Sequence, residues 1–228
     1  MAEHAVNYVI IVGPQGAGKG TQAAAVAPRL GLEHVATGDL FRAILKSESE
    51  LGDEVRHYYD QGALVPDDLT IRVLFAHIEQ LQEEKPGTTG VLLDGFPRNA
   101  AQAKSLDDAL AERGEAISAV VLVDVPRPEL MKRLTGRLVC SNCGATYHRE
   151  FNPPKSAETC DQCGGELFQR SDDTPEAVEK RLEIYYEQTE PILEHYREQG
   201  VLLEIDGNRE IDSVTADILD SLKDRVSA

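Results

Sequence analysis

Positive charge is scarce in this sequence. Its 228 residues carry 23 Lys plus Arg against 40 Asp plus Glu, a formal net charge of −17. An acidic field of that size repels nucleic acid and anionic membrane surfaces, so neither is an expected partner. Any phosphate-bearing ligand has to be held by local cations set against the global field. Lysine is rarer still, with 8 residues against 15 Arg, and tryptophan is absent. Such acid-rich, lysine-poor composition resembles that of proteins from extreme halophiles, whose carboxylates keep the surface hydrated in strong salt. An ordinary acidic cytosolic enzyme is the plainer alternative. No stretch approaches the roughly 20 apolar residues needed to cross a bilayer. Residues 1–7 lack the basic start of a signal peptide. The four cysteines all fall within residues 140–163 as two C-x-x-C pairs, whereas the disulfide frameworks of secreted domains are spread more widely. The expected compartment is reducing and cytoplasmic.

What is present reads as a globular α/β chain. At 41% hydrophobic and 28% charged residues it can bury a sizeable core, and its length suits one domain with inserted lobes. Short β-branched runs at 8–12, 33–36, 91–93, 119–123 and 201–205 alternate with helical patterns at 19–30, 68–83, 100–113, 129–138 and 175–199. Continuous runs such as Val120-Val121-Leu122-Val123 predict strands buried on both faces, as a parallel sheet requires. The alternation predicts a three-layer α/β fold around a five-stranded parallel sheet. Asp67 is positioned to cap the helix starting at Asp68, and Asp173 or Thr174 to cap the long helix opened by Pro175. Gly114 and Gly200 suit left-handed helix ends, and Pro191 should bend or split its helix. Residues 38–66 and 136–173 interrupt the alternation and read as inserted lobes.

The strongest motif is Gly13-Pro14-Gln15-Gly16-Ala17-Gly18-Lys19-Gly20-Thr21, between the first strand and the first helix. Glycines let successive backbone N–H groups turn toward one anion, the helix N-terminus adds its dipole, and Lys19 supplies a point charge. A chance glycine-rich turn is the bland alternative, and the strand-loop-helix context argues against it. Asp94 ends a buried strand, where open α/β sheets carry functional groups, and a carboxylate there can hold the water shell of Mg2+. Arg98 lies four residues on, and its planar fork suits a phosphate dianion. Cys140-x-x-Cys143, 16 residues, then Cys160-x-x-Cys163 has the spacing of a four-cysteine structural zinc site, with Gly144 and Gly164 relaxing each turn. Redox pairs, free thiols and a nucleic-acid-binding zinc ribbon are the alternatives. The last is disfavoured because residues 136–173 hold six acids against four Lys plus Arg.

These motifs resemble those of the nucleoside monophosphate kinases, and of the adenylate kinases in particular. Gly-Lys-Gly-Thr is followed in that family's order by Thr37-Gly38-Asp39-Leu40-Phe41-Arg42, by Asp94-Gly95-Phe96-Pro97-Arg98 with Gln102, and by Gly136-Arg137 with Arg170-x-Asp172-Asp173. The resemblance covers nearly the whole chain. Gln15 departs from it, since many relatives have Pro there. The resemblance implies a P-loop kinase core (1–35, 66–135, 174–228), an NMP-binding insertion (36–65) and a zinc-bearing lid (136–173). It implies reversible Mg2+-dependent transfer of the γ-phosphate of ATP to AMP, giving two ADP, by a cytoplasmic monomer. A GTP:AMP or UMP/CMP kinase is the nearest alternative, and a non-catalytic nucleotide-binding zinc module a more distant one.

Residue by residue, the resemblance puts ATP on Gly16, Ala17, Gly18, Lys19, Gly20, Thr21, Arg137, Thr146, Tyr147 and Arg209. It puts AMP on Thr37, Arg42, Ala63, Leu64, Val65, Gly95, Phe96, Pro97, Arg98, Gln102, Arg170 and Arg181. Thr37 and Gln102 would read the adenine, Gln through its paired donor and acceptor. Lys19, Arg98, Arg133, Arg170 and Arg181 would neutralise charge during transfer, Asp94 would serve Mg2+ through water, and Asp172 and Asp173 would sit at the lid hinge. Arg133 and Arg137, four apart at a predicted helix end, are expected to share a face. The six histidines are scattered, form no ligand pair and receive no catalytic role. The salt adaptation read from composition is tested by unfolding in low and multimolar KCl. Marked stabilisation by salt is expected, and equal stability in both would remove that reading.

Overall fold

The computed structural model describes residues 6–60, 65–170 and 173–226. Among these the strands are β1 (Asn7–Val12), β2 (Leu32–Ala36), β3 (Gly90–Asp94), β4 (Ile117–Asp124), β5 (Arg137–Cys140), β6 (Thr146–His148), β7 (Leu167–Phe168) and β8 (Leu202–Asp206). The helices are α1 (Lys19–Val26), α2 (Thr37–Ile44), α3 (Glu50–Asp60), α4 (Asp67–Glu84), α5 (Ala100–Glu112), α6 (Arg127–Thr135), α7 (Pro175–Ile184), α8 (Ile192–Glu198) and α9 (Ile211–Leu222). Five strands form the predicted parallel sheet in the order β2-β3-β1-β4-β8.

Alternation along β1 divides the core. Tyr8, Ile10 and Val12 face a cluster with Leu74, Ile78, Leu106 and Tyr196, while Val9 and Ile11 face one with Val26, Leu130, Leu134, Leu182 and Ile218. Helices therefore cover both sheet faces, which is why the strands read as continuous apolar runs. In the parallel register Asp94 lies beside Ile11 on one side and Ala36 on the other. This brings the loop after β1, the end of β3 and the start of α2 to one carboxyl edge, the edge where open α/β sheets bind ligands.

Several boundaries differ from the sequence expectation for local physical reasons. The first helix passes into a 3-10 turn, Ala27–Leu30, which contains Pro28 and ends at Gly31 with φ +68°. The helix expected over 129–138 stops at Thr135. Gly136 lets the chain turn into β5, and a Cβ there would lie 2.3 Å from the His148 ring, so the approach of the following hairpin requires glycine. Arg137 consequently sits on a strand, and it does not share a helix face with Arg133. Asp67 lies inside α4, with Pro66 at the cap position. Its carboxylate accepts from Gln102 Nε2 at 3.0 Å instead of capping. Thr174, not Asp173, caps α7 by accepting from the Ala177 N–H at 3.3 Å. Pro191 does split the last long helix: α7 ends in a π-turn, Tyr185–Thr189, before α8 resumes.

Residues 137–168 carry a second, antiparallel sheet of order β6-β5-β7, over a small cluster of Leu138, Cys140, Tyr147, Cys160 and Leu167. His148 ties this lobe to α6. Its Nε2 donates to the Lys132 carbonyl (3.1 Å), and its Nδ1 accepts from the Glu150 and Phe151 N–H groups (3.0 Å each).

Candidate active site

The loop after β1 folds as its glycines dictate. Gly13 has φ +144°, and a Cβ there would stand 2.5 Å from the Val123 carbonyl oxygen, so the chain leaves the sheet hard against β4. Gly18 caps α1 in the left-handed region at φ +90°. Lys19, the first residue of α1, folds its ammonium back onto the loop, donating to the carbonyls of Gly13 (2.7 Å) and Pro14 (2.9 Å). The residue is half-buried, and the desolvation of its ammonium pushes it down to about 8. The Asp94 carboxylate opposes the shift, while the guanidinium groups of Arg98, Arg137 and Arg181 add to it. An ammonium surrounded by other cations gains from any anion that enters among them.

Each of those neighbours arrives from a different part of the chain. Asp94, at the end of β3, places Oδ2 3.4 Å from His34 Nε2 on the adjacent strand. No local pattern assigns His34 a role, because only the pairing of β2 with β3 brings the two together. Gly95 has φ +85°, the Phe96–Pro97 peptide is cis, and both Phe96 and Pro97 are buried. This turn presents the exposed side chain of Arg98, whose Nε donates to the Gly95 carbonyl at 2.6 Å. The Arg98 N–H donates to Gln102 Oε1 (2.9 Å), and its carbonyl accepts from Thr189 Oγ1 (2.7 Å). Gln102 Nε2 donates to Asp67, so the carboxamide expected to read a base here links the Arg98 turn, through its oxygen, to α4, through its nitrogen. Thr37 is buried at the first position of α2, and its hydroxyl donates to the Asp94 carbonyl at 3.3 Å. The Arg42 guanidinium lies over Gly38, and Val65 packs against the core. Ala63, Leu64 and Asp172 lie outside the described residues.

The remaining arginines divide into two groups. Arg137 and Arg181 converge on Asp173, whose side chain is wholly buried. Arg137 holds it with two bonds, Nε to Oδ2 at 2.8 Å and Nη2 to Oδ1 at 2.5 Å, and Arg181 Nη1 reaches Oδ1 at 3.3 Å. A paired fork of this kind is among the stronger protein contacts. Arg133 instead donates to the Gly207 carbonyl (3.1 Å), bracing the loop after β8. Arg209 pairs with Asp217 on the surface of α9, and Arg170 is exposed at the end of the cysteine lobe.

Within the lobe, the four sulfurs all lie within 4.8 Å of one another. Cys140 and Cys163 are 3.5 Å apart, Cys143 and Cys160 3.6 Å. These separations are too long for disulfides and close to the edge of about 3.8 Å of a tetrahedron with metal–sulfur bonds of about 2.3 Å. Gly144 and Gly164 take φ +73° and +74° after each pair. Tyr147 is turned inward, with Oη 3.5 Å from Cys160 Sγ and accepting from the Asp161 N–H at 2.9 Å. That contact holds the Cys160 thiol well below the ordinary range. The Tyr147 side chain thus faces the cysteine cluster, whereas Thr146 is exposed.

Cations drawn from four separate segments around a glycine loop at a sheet's carboxyl edge define a phosphate-loop kinase, a class whose work is positioning and charge neutralisation. Comparison with known proteins narrows this. A family model described as adenylate kinase matches residues 11–201. The chain is 48% identical over 215 residues to the adenylate kinase of Carboxydothermus hydrogenoformans, covering 94% of this chain and 99% of that protein. It is 47% identical over 214 residues to that of Staphylococcus epidermidis, covering 94% and 98%, and 48% identical over 214 residues to that of Bacillus pumilus, covering 94% and 97%. The chain belongs to the adenylate kinase family and is a nucleoside monophosphate kinase.

The Asp173 triad carries a stability consequence. Asp173→Asn removes the charge that two partly buried guanidinium groups share, and should cost about 3–5 kcal/mol in urea unfolding. A loss below about 1 kcal/mol would show that the triad does not hold the base of the lobe.

Proposed function

We propose that the chain transfers the γ-phosphate of Mg·ATP directly to the α-phosphate of AMP, giving two ADP, and runs the reaction in reverse. The observation that supports this most is the electrostatic meeting of Lys19 with Asp94, Arg98, Arg137 and Arg181. ATP would lie on residues Gly16 to Thr21, where backbone N–H groups and the start of α1 favour an anion. AMP would be gripped by Arg42 and Arg98 beside Thr37, Gln102 and Val65, with Arg170 and Arg181 bridging the two phosphates. Arg137 and Arg181 would give up part of their hold on Asp173 to do so. The acceptor is already an anion, so no general base is required. Mg2+ enters with ATP, and Asp94 would hold waters of its shell.

Residues 36–65 would act as the NMP-binding lobe and 136–173 as a lid that excludes water when closed. Four thiolates at near-tetrahedral separations fit zinc, with no position left for water, so the ion would be structural. Bound there, it would cross-link two turns in a lobe too small for a core of its own. The free state of the four cysteines agrees with a reducing, cytoplasmic setting. No helix among the described residues is long and apolar enough to cross a membrane. The acidic exterior supports the salt-adapted reading, and a monomer is the simplest state for such a cleft.

ATP incubated with AMP, UMP or CMP, the products resolved by chromatography, tests the reaction. ADP from AMP is expected, and Lys19→Met should abolish it while the protein stays folded; retained turnover would refute the role of Lys19. Chelator should lower the melting temperature as metal is lost. Full metal loss with no change in melting would remove the structural zinc.

A further inference from the structure

The π-turn between α7 and α8 bridges the two halves of the core. Val178 and Leu182, before it, belong to the cluster on one face of the sheet. Ile192, Leu193 and Tyr196, after it, belong to the cluster on the other face with Phe96 and Ala103. Pro191 cannot donate to the helix ladder, and its ring crowds the carbonyl four residues back. The chain responds by widening, with the Glu190 N–H reaching the Tyr185 carbonyl at 2.9 Å, a five-residue step. That widening sets the direction of Thr189, whose hydroxyl donates to the Arg98 carbonyl at 2.7 Å across 91 residues of sequence.

Arg98 is thus held through its backbone from both sides. Gln102, on α5, takes its N–H, and Thr189 takes its carbonyl. The third bond, from Nε to the Gly95 carbonyl, orients the guanidinium from within the same turn. An exposed arginine on a turn has many rotamers to lose on binding a ligand, and a backbone fixed at both ends removes the part of that freedom which comes from the main chain. Arg181, one of the guanidinium groups meeting at Asp173, lies on α7, the helix that runs into this turn.

We propose that Thr189 is a positioning residue for the acceptor side of the reaction: its hydroxyl, aimed by the π-turn, latches the Arg98 turn so that the guanidinium is set for the phosphate of the nucleoside monophosphate. The proposal rests on the reading of Arg98 as an AMP ligand. Thr189 touches no substrate and acts through Arg98 alone, so its effect falls on one substrate and not the other.

Thr189→Val keeps the shape of the side chain and removes its donor. It should raise the KM for AMP and the calorimetric Kd for AMP alone about five- to tenfold, the size of one lost hydrogen bond. The KM for ATP should be unchanged and the melting temperature should move by no more than about 2–4 °C. Thr189→Ser, which restores the donor, should recover AMP affinity. An unchanged KM for AMP in the Val variant overturns the latch, as does a Ser variant as weak as Val, or a rise in both KM values together with a large fall in melting temperature. If the unaltered enzyme forms no ADP from ATP and AMP and does not bind AMP, the acceptor reading itself is at fault and the latch falls with it.

Discussion

The ammonium of Lys19 is the constraint around which the rest is arranged. It is partly withdrawn from water, it rests on two carbonyls of its own loop, and three guanidinium groups lie within electrostatic reach. In a chain of net charge −17 this is a local inversion of the field. Such a site is unfavourable to build and favourable to fill: the same desolvation that lowers the ammonium strengthens its attraction for a phosphate. The close packing of Gly13 on β4 and of Gly16 on Leu134 keeps the loop from relaxing away from that position.

Holding several cations together without a ligand requires internal counter-charges, and the fold supplies them at defined points. Asp173 gathers Arg137 and Arg181 at the base of the cysteine lobe, and Asp94 stands opposite Lys19. These carboxylates occupy the arginines and lysine in a manner that an incoming phosphate can compete with, because both offer oxygens to the same donors. The lobe that carries Arg137 has a small apolar cluster of five residues, so its shape depends on the cysteine turns, on Tyr147 and on the His148 contacts with α6. The acceptor turn, by contrast, is braced by the main core, through Gln102 on α5 and Thr189 beyond α7.

Much of this was legible in the order of residues. The glycine loop, the Asp94 to Arg98 turn and the paired cysteines are local patterns whose chemistry depends on neighbours in sequence, and the parallel sheet followed from continuous apolar runs. The errors have a common cause. Asp67 looked like a helix cap because the residues around it fit, yet its carboxylate serves Gln102, 35 residues away. Arg133 and Arg137 looked like partners on a helix, but Gly136 ends the helix between them and sends their side chains to Gly207 and Asp173. His34 carried no local signal, since its contact with Asp94 exists only through strand pairing.

By itself the sequence determined the kind of chemistry, because phosphate loops, arginine forks and C-x-x-C turns are built from residues close enough along the chain for spacing to specify geometry. It also determined where the last long helix would break, at Pro191, since backbone constraints are written residue by residue. Tertiary structure alone decided which cation faces which carboxylate, that Lys19 sits among three guanidinium groups, and that Thr189 meets Arg98. Arg137 meets Asp173 across 36 residues and Thr189 meets Arg98 across 91, and charge or hydrogen-bonding capacity in a sequence names candidates for such pairings without choosing among them.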